Sequence, residues 1–299
     1  MQGLFIQTTL FLNNTLNYMN ILEQIVAYKR AEVSLRMTHK PESTLENSPF
    51  YVNKCFSLKE YLRASQASQI IAEFKRKSPS KGIINDKAGL VETTKGYTQA
   101  GASGLSILTD KKFFGGENQD IEIAREGLQI PILRKDFTLT TYQITEAKAI
   151  GADVILLIAA ILSDSLIIEL SKFAKELGME VICEIHNEAE LQKAMVDTVD
   201  IIGVNNRNLK DFEVSLDNSK TLAEKIPANF LKISESGINT PDDIIELRKY
   251  GFEGFLIGET FMKEPKPAEA LSKFVTELKE KTPAPIPTNE NPETIEPKQ

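Results

Sequence analysis

The apolar segment at residues 70–75 contains a glutamate, Glu73, and ends in a lysine, Lys75. The isoleucines and phenylalanine of this segment favour a buried β-strand. Because side chains alternate along a strand, Ile71, Glu73 and Lys75 share one face and the intervening residues take the other. Both faces of a parallel sheet are buried, so these charges must pair, meet solvent at the strand end or bind a ligand. Glu73 and Lys75 are therefore candidate acid-base residues, with a surface ion pair on an edge strand as the alternative.

Polar side chains also end other apolar segments: Lys135, Glu184, Asn205, Arg207 and Glu235. By the same alternation, Lys135, Glu184 and Glu235 each share a face with the apolar residue two positions earlier, so all three can point inward. The chain has two histidines and no cysteine–histidine spacing of a metal site, so acid-base chemistry would depend on lysines and carboxylates. A purely structural network of ion pairs is the alternative.

Short apolar segments alternate with helical patterns from residue 69 onward, as is typical of parallel βα units. We predict eight strands: Gln69–Lys75, Gly104–Leu108, Pro131–Lys135, Asp153–Ala160, Glu180–Ile185, Ile201–Val204, Leu231–Glu235 and Gly254–Ile257. The predicted helices include Leu90–Ala100, Thr141–Ile150, Leu166–Leu177, Glu188–Val196, Ser219–Lys225 and Pro241–Tyr250. Gly101, Gly151, Gly178 and Gly251 follow four of them, where a left-handed cap suits glycine. Eight such units predict an α/β protein with a (β/α)8 TIM barrel, and the G-x-G-x-x-G motif of an open dinucleotide-binding sheet is absent.

Active sites of such barrels lie at the carboxyl ends of the strands, so the polar residues named above would meet at one opening. Ser236 and Gly237 follow the seventh predicted strand, and Gly258 and Glu259 follow the eighth. Barrels often bind phosphate at these two positions through backbone N–H groups and a helix N-terminus. We therefore expect a phosphate site there.

The two ends of the chain differ from the barrel pattern. Residues 1–18 lack the positive charge of a secretory signal and any apolar run of membrane length, and an amphipathic helical pattern begins after Met19. A Pro/Glu/Asn-rich segment ends the chain. We predict a poorly ordered extension at 1–18, one barrel domain with N-terminal helices at 19–280, and a disordered Pro-rich tail at 281–299.

Composition narrows the class of function. The chain has 299 residues, a formal net charge of −7 and a pI of about 5.2, which disfavour a nucleic-acid-binding surface but allow a local basic pocket for an anionic metabolite. Cys55 and Cys183 are predicted to be free thiols in a reducing cytoplasm. We expect a cytoplasmic protein with a phosphorylated small-molecule ligand and no nucleic-acid or membrane partner.

Four segments carry a resemblance to a known family: residues 71–80 (IAEFKRKSPS), 131–137 (PILRKDF), 203–209 (GVNNRNL) and 234–238 (SESGI). They resemble the signature segments of indole-3-glycerol phosphate synthase, in order and spacing, from about Met19 to Lys279. The first and third segments are the most specific. The resemblance implies a (β/α)8 barrel with an N-terminal helical extension that acts in tryptophan biosynthesis.

The resemblance also implies a reaction. A carboxy-lyase of this family converts 1-(2-carboxyphenylamino)-1-deoxyribulose 5-phosphate to indole-3-glycerol phosphate by ring closure, decarboxylation and dehydration. It uses no cofactor. Other enzymes of the tryptophan pathway are the candidate protein partners.

Roles for individual residues follow from the resemblance. Lys135 would be the acid for ring closure, with Glu73 and Lys75 beside it, and Lys75 a second candidate acid. Glu184 would assist dehydration, while Asn205 and Glu235 would orient sugar hydroxyls and lysines. Ser78 and Arg207 would hold the anthranilate carboxylate, since a guanidinium matches a carboxylate in a two-pronged contact. The phosphate would contact Ser236, Gly237, Gly258 and Glu259, the last through its backbone N–H.

Other interpretations remain at this point. Ser78-Pro79-Ser80-Lys81 fits the S-x-x-K pattern of β-lactamase-type enzymes, but the companion motifs are missing. Glu184, His186 and Glu188 are spaced like metal ligands, although His186 is expected in a loop. A related phosphosugar isomerase, a Schiff-base aldolase with Lys135 as nucleophile, and an inactive phosphosugar-binding barrel are the alternative functions.

Overall fold

The computed structural model describes residues 20–64, 67–209 and 212–282. Within them the strands are β1 (Ile70–Phe74), β2 (Lys77–Ser78), β3 (Gly82–Ile83), β4 (Gly104–Leu108), β5 (Ile132–Lys135), β6 (Val154–Ile158), β7 (Glu180–Ile185), β8 (Ile201–Asn205), β9 (Leu231–Glu235) and β10 (Gly254–Ile257). All of these except β2 and β3 form a closed parallel barrel, in the order β1-β10-β9-β8-β7-β6-β5-β4. The predicted (β/α)8 barrel and its eight strands are confirmed.

Helices surround the barrel and cover both of its ends. They are α1 (Ile21–His39), α2 (Glu42–Leu45), α3 (Leu58–Arg63), α4 (Leu90–Gln99), α5 (Lys111–Phe114), α6 (Asn118–Arg125), α7 (Thr141–Ala149), α8 (Asp164–Glu176), α9 (Glu188–Ala194), α10 (Asp217–Ala223), α11 (Pro241–Arg248), α12 (Glu259–Met262) and α13 (Pro267–Lys281). None of these helices combines the length and apolar composition needed to cross a membrane. The predicted extension at 1–18 and the tail from residue 283 lie outside the described residues, whereas Lys281 still belongs to α13.

Strand boundaries differ slightly from the prediction, for local reasons. The first strand starts at Ile70 because Gln69 has a left-handed φ of 65°. The fourth barrel strand starts at Val154, since the Asp153 carboxylate accepts hydrogen bonds from the backbone N–H groups of Phe56 (2.9 Å) and Ile132 (2.8 Å). The Asp153 side chain therefore links the start of β6 to the start of β5 and to the segment before α3.

The barrel has two apolar layers that follow the alternation of side chains. Ile71, Leu133, Ile182 and Ile233 belong to a cluster inside the barrel, which Leu58 and Leu62 of α3 extend. Ile70, Ala72 and Phe74 belong instead to the larger cluster between strands and helices. The predicted faces of the first strand are thus correct, and the charged residues that follow these inner apolar residues must point into the barrel mouth.

Helix α1 lies beside the carboxyl ends of the strands, at the barrel mouth. Its start is a capping box in which the Glu23 N–H donates to Asn20 Oδ1 (3.0 Å) and the Asn20 N–H donates to Glu23 Oε2 (2.9 Å). Ile25 packs on the inner cluster. Lys29, which the sequence pattern groups with polar helix residues, is fully buried, with Nζ 2.9 Å from the Asp136 carboxylate. This ion pair fixes α1 beside the strand end that carries Lys135.

Candidate active site

One cavity of about 690 Å³ lies at the carboxyl ends of the barrel strands. All twelve residues predicted from the sequence line it: Glu73, Lys75, Ser78, Lys135, Glu184, Asn205, Arg207, Glu235, Ser236, Gly237, Gly258 and Glu259. They come from six of the barrel's strand ends or the loops after them, far apart in sequence. Convergence of this many polar groups on one cavity is the pattern of a ligand site.

Lys135 is the centre of the charged part of the cavity. Its ammonium donates to Glu184 Oε2 (2.8 Å) and to Glu235 Oε2 (2.6 Å). The lysine side chain is 14% exposed and the two carboxylates less. One cation is therefore shared by two buried anions, which leaves an excess of negative charge at the bottom of the cavity.

This imbalance appears in the ionisation of the three groups. Burial alone would lower the pKa of Lys135, but the charges of Glu184 and Glu235 hold that pKa above its ordinary value. Burial would raise the pKa of Glu184, yet the nearby ammonium of Lys135 lowers it to about 2. Burial, assisted by the charge of Glu184, raises the pKa of Glu235 to about 7. The site thus contains a charged lysine, an ionised carboxylate and a carboxyl group that titrates near neutrality.

Glu73 and Lys75, at the end of β1, form a second ion pair that lines the cavity. The Lys75 ammonium donates to Glu73 Oε1 (2.5 Å), and the Ser106 hydroxyl donates to Glu73 Oε2 (3.4 Å). A Cβ added to Gly258 would lie 2.5 Å from Glu73 Oε1, so only glycine leaves room for this carboxylate. Gly258 therefore fixes the position of the pair as well as bordering the cavity.

Arg207 lies at the rim. Asn205 Oδ1 accepts a hydrogen bond from the Arg207 backbone N–H (3.0 Å), and the guanidinium donates to the Phe212 carbonyl (3.4 Å). The Glu259 carboxylate is 3.7 Å from the guanidinium and 3.4 Å from the Lys81 ammonium. Two cations and one exposed carboxylate thus share the rim, where an anionic ligand group can replace the carboxylate.

Two backbone segments border another corner of the cavity. Ser236 and Gly237 both have left-handed backbones, with φ of 68° and 80°. The Asn206 side chain supports this turn by donating to the Ser236 carbonyl (3.0 Å). Gly258 follows β10, the strand next to β9, and helix α12 begins at the next residue. Backbone at a tight turn and at a helix start suits a phosphate group.

The alternative patterns do not assemble into sites. Glu188, the third member of the metal-like spacing, pairs with Lys225 on the surface, away from Glu184 and His186. In the described ranges no three potential ligand residues cluster well enough to hold a metal ion. Ser78 lies in the short β2–β3 ribbon, and its hydroxyl is 3.4 Å from that of Ser80.

Sequence reasoning missed the apolar wall of the cavity and the cation Lys81. Ile21, Leu22 and Ile25 of α1 line the cavity together with aromatic residues, including Phe114. The helical spacing of the three residues was visible in the sequence, but the surface against which they pack was not. An apolar wall beside charged groups suits a ligand with an aromatic ring and anionic ends.

Comparison with known proteins agrees with this geometry. A family model described as indole-3-glycerol phosphate synthase matches residues 22–274. The indole-3-glycerol phosphate synthase of Bacteroides thetaiotaomicron is 48% identical over 256 residues, which cover 86% of this chain and 98% of that protein. The protein of the same name from Albidiferax ferrireducens is 42% identical over 259 residues, covering 85% and 98%.

Solved structures share the fold at low sequence identity. A mutant tryptophan synthase alpha-subunit from Pyrococcus furiosus superposes with a TM-score of 0.54 at 17% identity, covering 71% of this chain and 98% of that one. The 3-hexulose-6-phosphate synthase of Salmonella typhimurium gives a TM-score of 0.54 at 13% identity, covering 70% and 99%. At these identities the likeness concerns the barrel alone.

Proposed function

The chain belongs to the indole-3-glycerol phosphate synthase family, and we propose that its cavity converts 1-(2-carboxyphenylamino)-1-deoxyribulose 5-phosphate to indole-3-glycerol phosphate with loss of CO2 and water. The observation that carries this proposal is the position of Lys135, charged and held between Glu184 and Glu235 in a cavity with cations at its rim. The reaction is that of a carboxy-lyase in tryptophan biosynthesis.

Lys135 is the acid for ring closure. The aromatic carbon that bears the carboxylate attacks the ribulose carbonyl carbon, and the carbonyl oxygen gains a proton as the new C–C bond forms. Lys135 donates this proton, because it is a charged ammonium that faces the cavity. Loss of CO2 then returns the bonding electrons to the ring and restores its aromaticity.

Dehydration needs a base and a second acid. The new hydroxyl leaves as water after protonation, and a proton leaves the adjacent carbon to form the double bond of the indole. Glu184 is the base, since its low pKa keeps it ionised. Lys75, which is paired with Glu73 and lines the same cavity, protonates the leaving hydroxyl. Asn205 and Glu235 orient the sugar hydroxyls and Lys135.

The two anionic ends of the substrate bind at different parts of the rim. Arg207 and Ser78 hold the anthranilate carboxylate, with Arg207 released from Glu259 as the substrate enters. The phosphate binds the backbone at Ser236, Gly237, Gly258 and Glu259. The aromatic ring then packs on the apolar wall that α1 provides.

The proposal extends to the cellular setting. Cys55 and Cys183 are free thiols, in keeping with a reducing cytoplasm. Other enzymes of tryptophan biosynthesis are the proposed partners, because they must supply the substrate and consume the product.

A direct assay tests the function. The purified protein is mixed with the synthetic substrate, and indole absorbance and released CO2 are followed together. We expect one CO2 for each indole formed. Isomerised substrate without CO2 would indicate a phosphosugar isomerase, and inactivation by borohydride in the presence of substrate would indicate a Schiff base on a lysine; either would overturn the proposal.

A further inference from the structure

His186 lies directly after β7 and faces two carboxylates. Its Nδ1 is 3.0 Å from Glu190 Oε2, and Glu190 also accepts a hydrogen bond from the His186 backbone N–H (2.8 Å). Its Nε2 is 3.5 Å from Glu184 Oε1. The side chain is only 9% exposed, and Nε2 is buried without a hydrogen bond to the described residues. The other carboxylate oxygen of Glu184, Oε2, accepts a hydrogen bond from the Lys135 ammonium (2.8 Å).

This arrangement constrains where protons can be. A neutral imidazole carries a proton on one nitrogen and a lone pair on the other. If Nδ1–H donates to Glu190, a neutral ring turns the lone pair of Nε2 toward Glu184 Oε1. Two lone pairs that face each other in a buried place repel, so the geometry favours a proton on both nitrogens. The reverse tautomer moves the same conflict to Glu190.

We propose that His186 is a positioning residue for the reaction proposed above: its imidazolium holds Glu184 ionised and aimed at Lys135. The inference rests on the proposed role of Glu184 as base. Glu190 Oε2 contacts both the backbone N–H and the ring Nδ1 of His186, and these two contacts fix the orientation of the ring. His186 acts through Glu184 and is not among the residues that line the cavity.

The surrounding charges support a protonated ring. Burial would lower the pKa of His186, but the hydrogen bond to Glu190 and the charges of Glu184, Glu190 and Glu235 raise it above the ordinary value. Lys135, on the far side of Glu184, is the nearby opposing cation. Because three carboxylates outweigh one ammonium here, the imidazolium is the form that the site stabilises.

Imidazole ¹⁵N NMR tests this without any assay of activity. The chain has two histidines, His39 and His186, so the spectrum is assigned with the single variant His39→Gln. We expect both ring nitrogens of His186 to be protonated at pH 7, and we expect Glu184→Gln to lower its pKa by about one unit, the usual scale for removing one adjacent charge. A neutral His186 at pH 7 with an unprotonated Nε2 would overturn the proposal, whatever the enzyme catalyses.

Kinetics then separate a role in positioning from a role in packing. His186→Gln keeps a polar amide but no charge, so Glu184 takes up a proton more readily and the acidic limb of kcat moves toward neutral pH. At pH 7 Glu184 stays ionised, but the ring no longer aims it at Lys135, so we expect kcat at pH 7 to fall roughly tenfold with little change in KM. Glu188→Gln, two residues after His186 at the start of α9 and paired with Lys225 at the surface, is the control.

A second variant covers the case in which His186→Gln fails to fold. Glu190→Gln leaves the imidazole in place but removes its anionic partner, so the acidic limb should move in the same direction by a smaller amount. An unshifted acidic limb in a folded variant of either kind, or a loss confined to KM, would contradict the proposal. A wild-type protein that forms no indole would instead refute the proposed function and leave the NMR result standing.

Discussion

Arg134 and Lys135 are neighbours on one strand, yet they belong to different kinds of charged cluster. Arg134 points outward, is 2% exposed, and donates to Glu146 Oε2 (2.6 Å), to the Gln143 carbonyl (2.8 Å) and to Asn118 Oδ1 (2.9 Å). Lys135 points inward and contacts two carboxylates at the edge of a cavity. The alternation of the strand alone separates the two.

The difference shows how structural and functional charges can be told apart. The outer cluster surrounds Arg134 with acceptors and leaves it no contact with the cavity. In the inner cluster the negative charge exceeds the positive, Glu235 has its pKa raised to about 7, and Glu235 Oε1 is buried without a hydrogen bond to the described part of the chain. Groups that are left partly unsatisfied beside a cavity are the ones available to a substrate.

The largest effect that we expect is on stability, from Arg134→Met. This change removes one partner of a buried ion pair and leaves Glu146 with only the partly exposed Arg36, 3.1 Å away, as its cation, which costs about 3–5 kcal/mol of unfolding free energy. Urea denaturation measures the loss. Arg63→Met is the control, because Arg63 is 53% exposed and its pair with Glu253 is worth less than about 1 kcal/mol. Equal losses in the two variants would remove the distinction drawn between the clusters.

The next effect is on turnover, from Lys135→Met. This substitution keeps much of the side-chain volume and removes the proton, so kcat should fall by roughly a hundredfold or more, the scale of one general acid. The loss of stability should be smaller than in Arg134→Met, because Glu235, whose pKa is about 7, can take up a proton. Lys232→Met, on the partly exposed outer face of β9, should retain normal kcat.

Much of this contrast could be predicted from the sequence. Strand alternation alone indicated that Lys135, Glu184 and Glu235 point to one place, and the structure brings them together. The spacing of Ile25 and Val33 places Lys29 on the buried face of α1. Its ion pairs could not be predicted, since Asp110 and Asp136 are distant in the chain.

The elements that the sequence did not reveal are short or depend on distant contacts. The β2–β3 ribbon pairs only two residues on each side, too few to leave a periodic pattern. Helix α6 begins with a capping box between Glu117 and Asp120, and Asp120 also pairs with Arg76 from the loop after β1. That second contact joins the two segments in three dimensions and has no trace in the local sequence.

A smaller effect is expected on binding, from Arg207→Lys. The ammonium keeps the charge but loses the two-pronged geometry toward a carboxylate, so KM should rise by roughly tenfold while kcat changes less. Steady-state kinetics measure both constants. The control is the reverse exchange away from the cavity, Lys220→Arg, which should leave KM unchanged. An unchanged KM in Arg207→Lys would refute the assignment of Arg207 to the substrate carboxylate.

The smallest effect should follow from removing the two ends of the chain. We propose that residues 19–280 are the folding unit, because α1 begins with its own capping box at Asn20 and Glu23 and α13 ends at Lys281. Variants that start at Met19 or stop after residue 283 should keep nearly normal kcat and melting temperature. A large loss in either would show that the deleted segment packs on the barrel.

The most direct test of the account concerns what Lys135 does with the bound substrate. Affinity of Lys135→Met for a reduced, unreactive substrate analogue is compared with its kcat, both relative to the wild type. We expect affinity to fall far less than kcat, because Arg207 and the backbone at Gly237 still hold the two anionic ends. If affinity falls as far as kcat, Lys135 is an anion anchor, and the acid for ring closure would have to be Lys75.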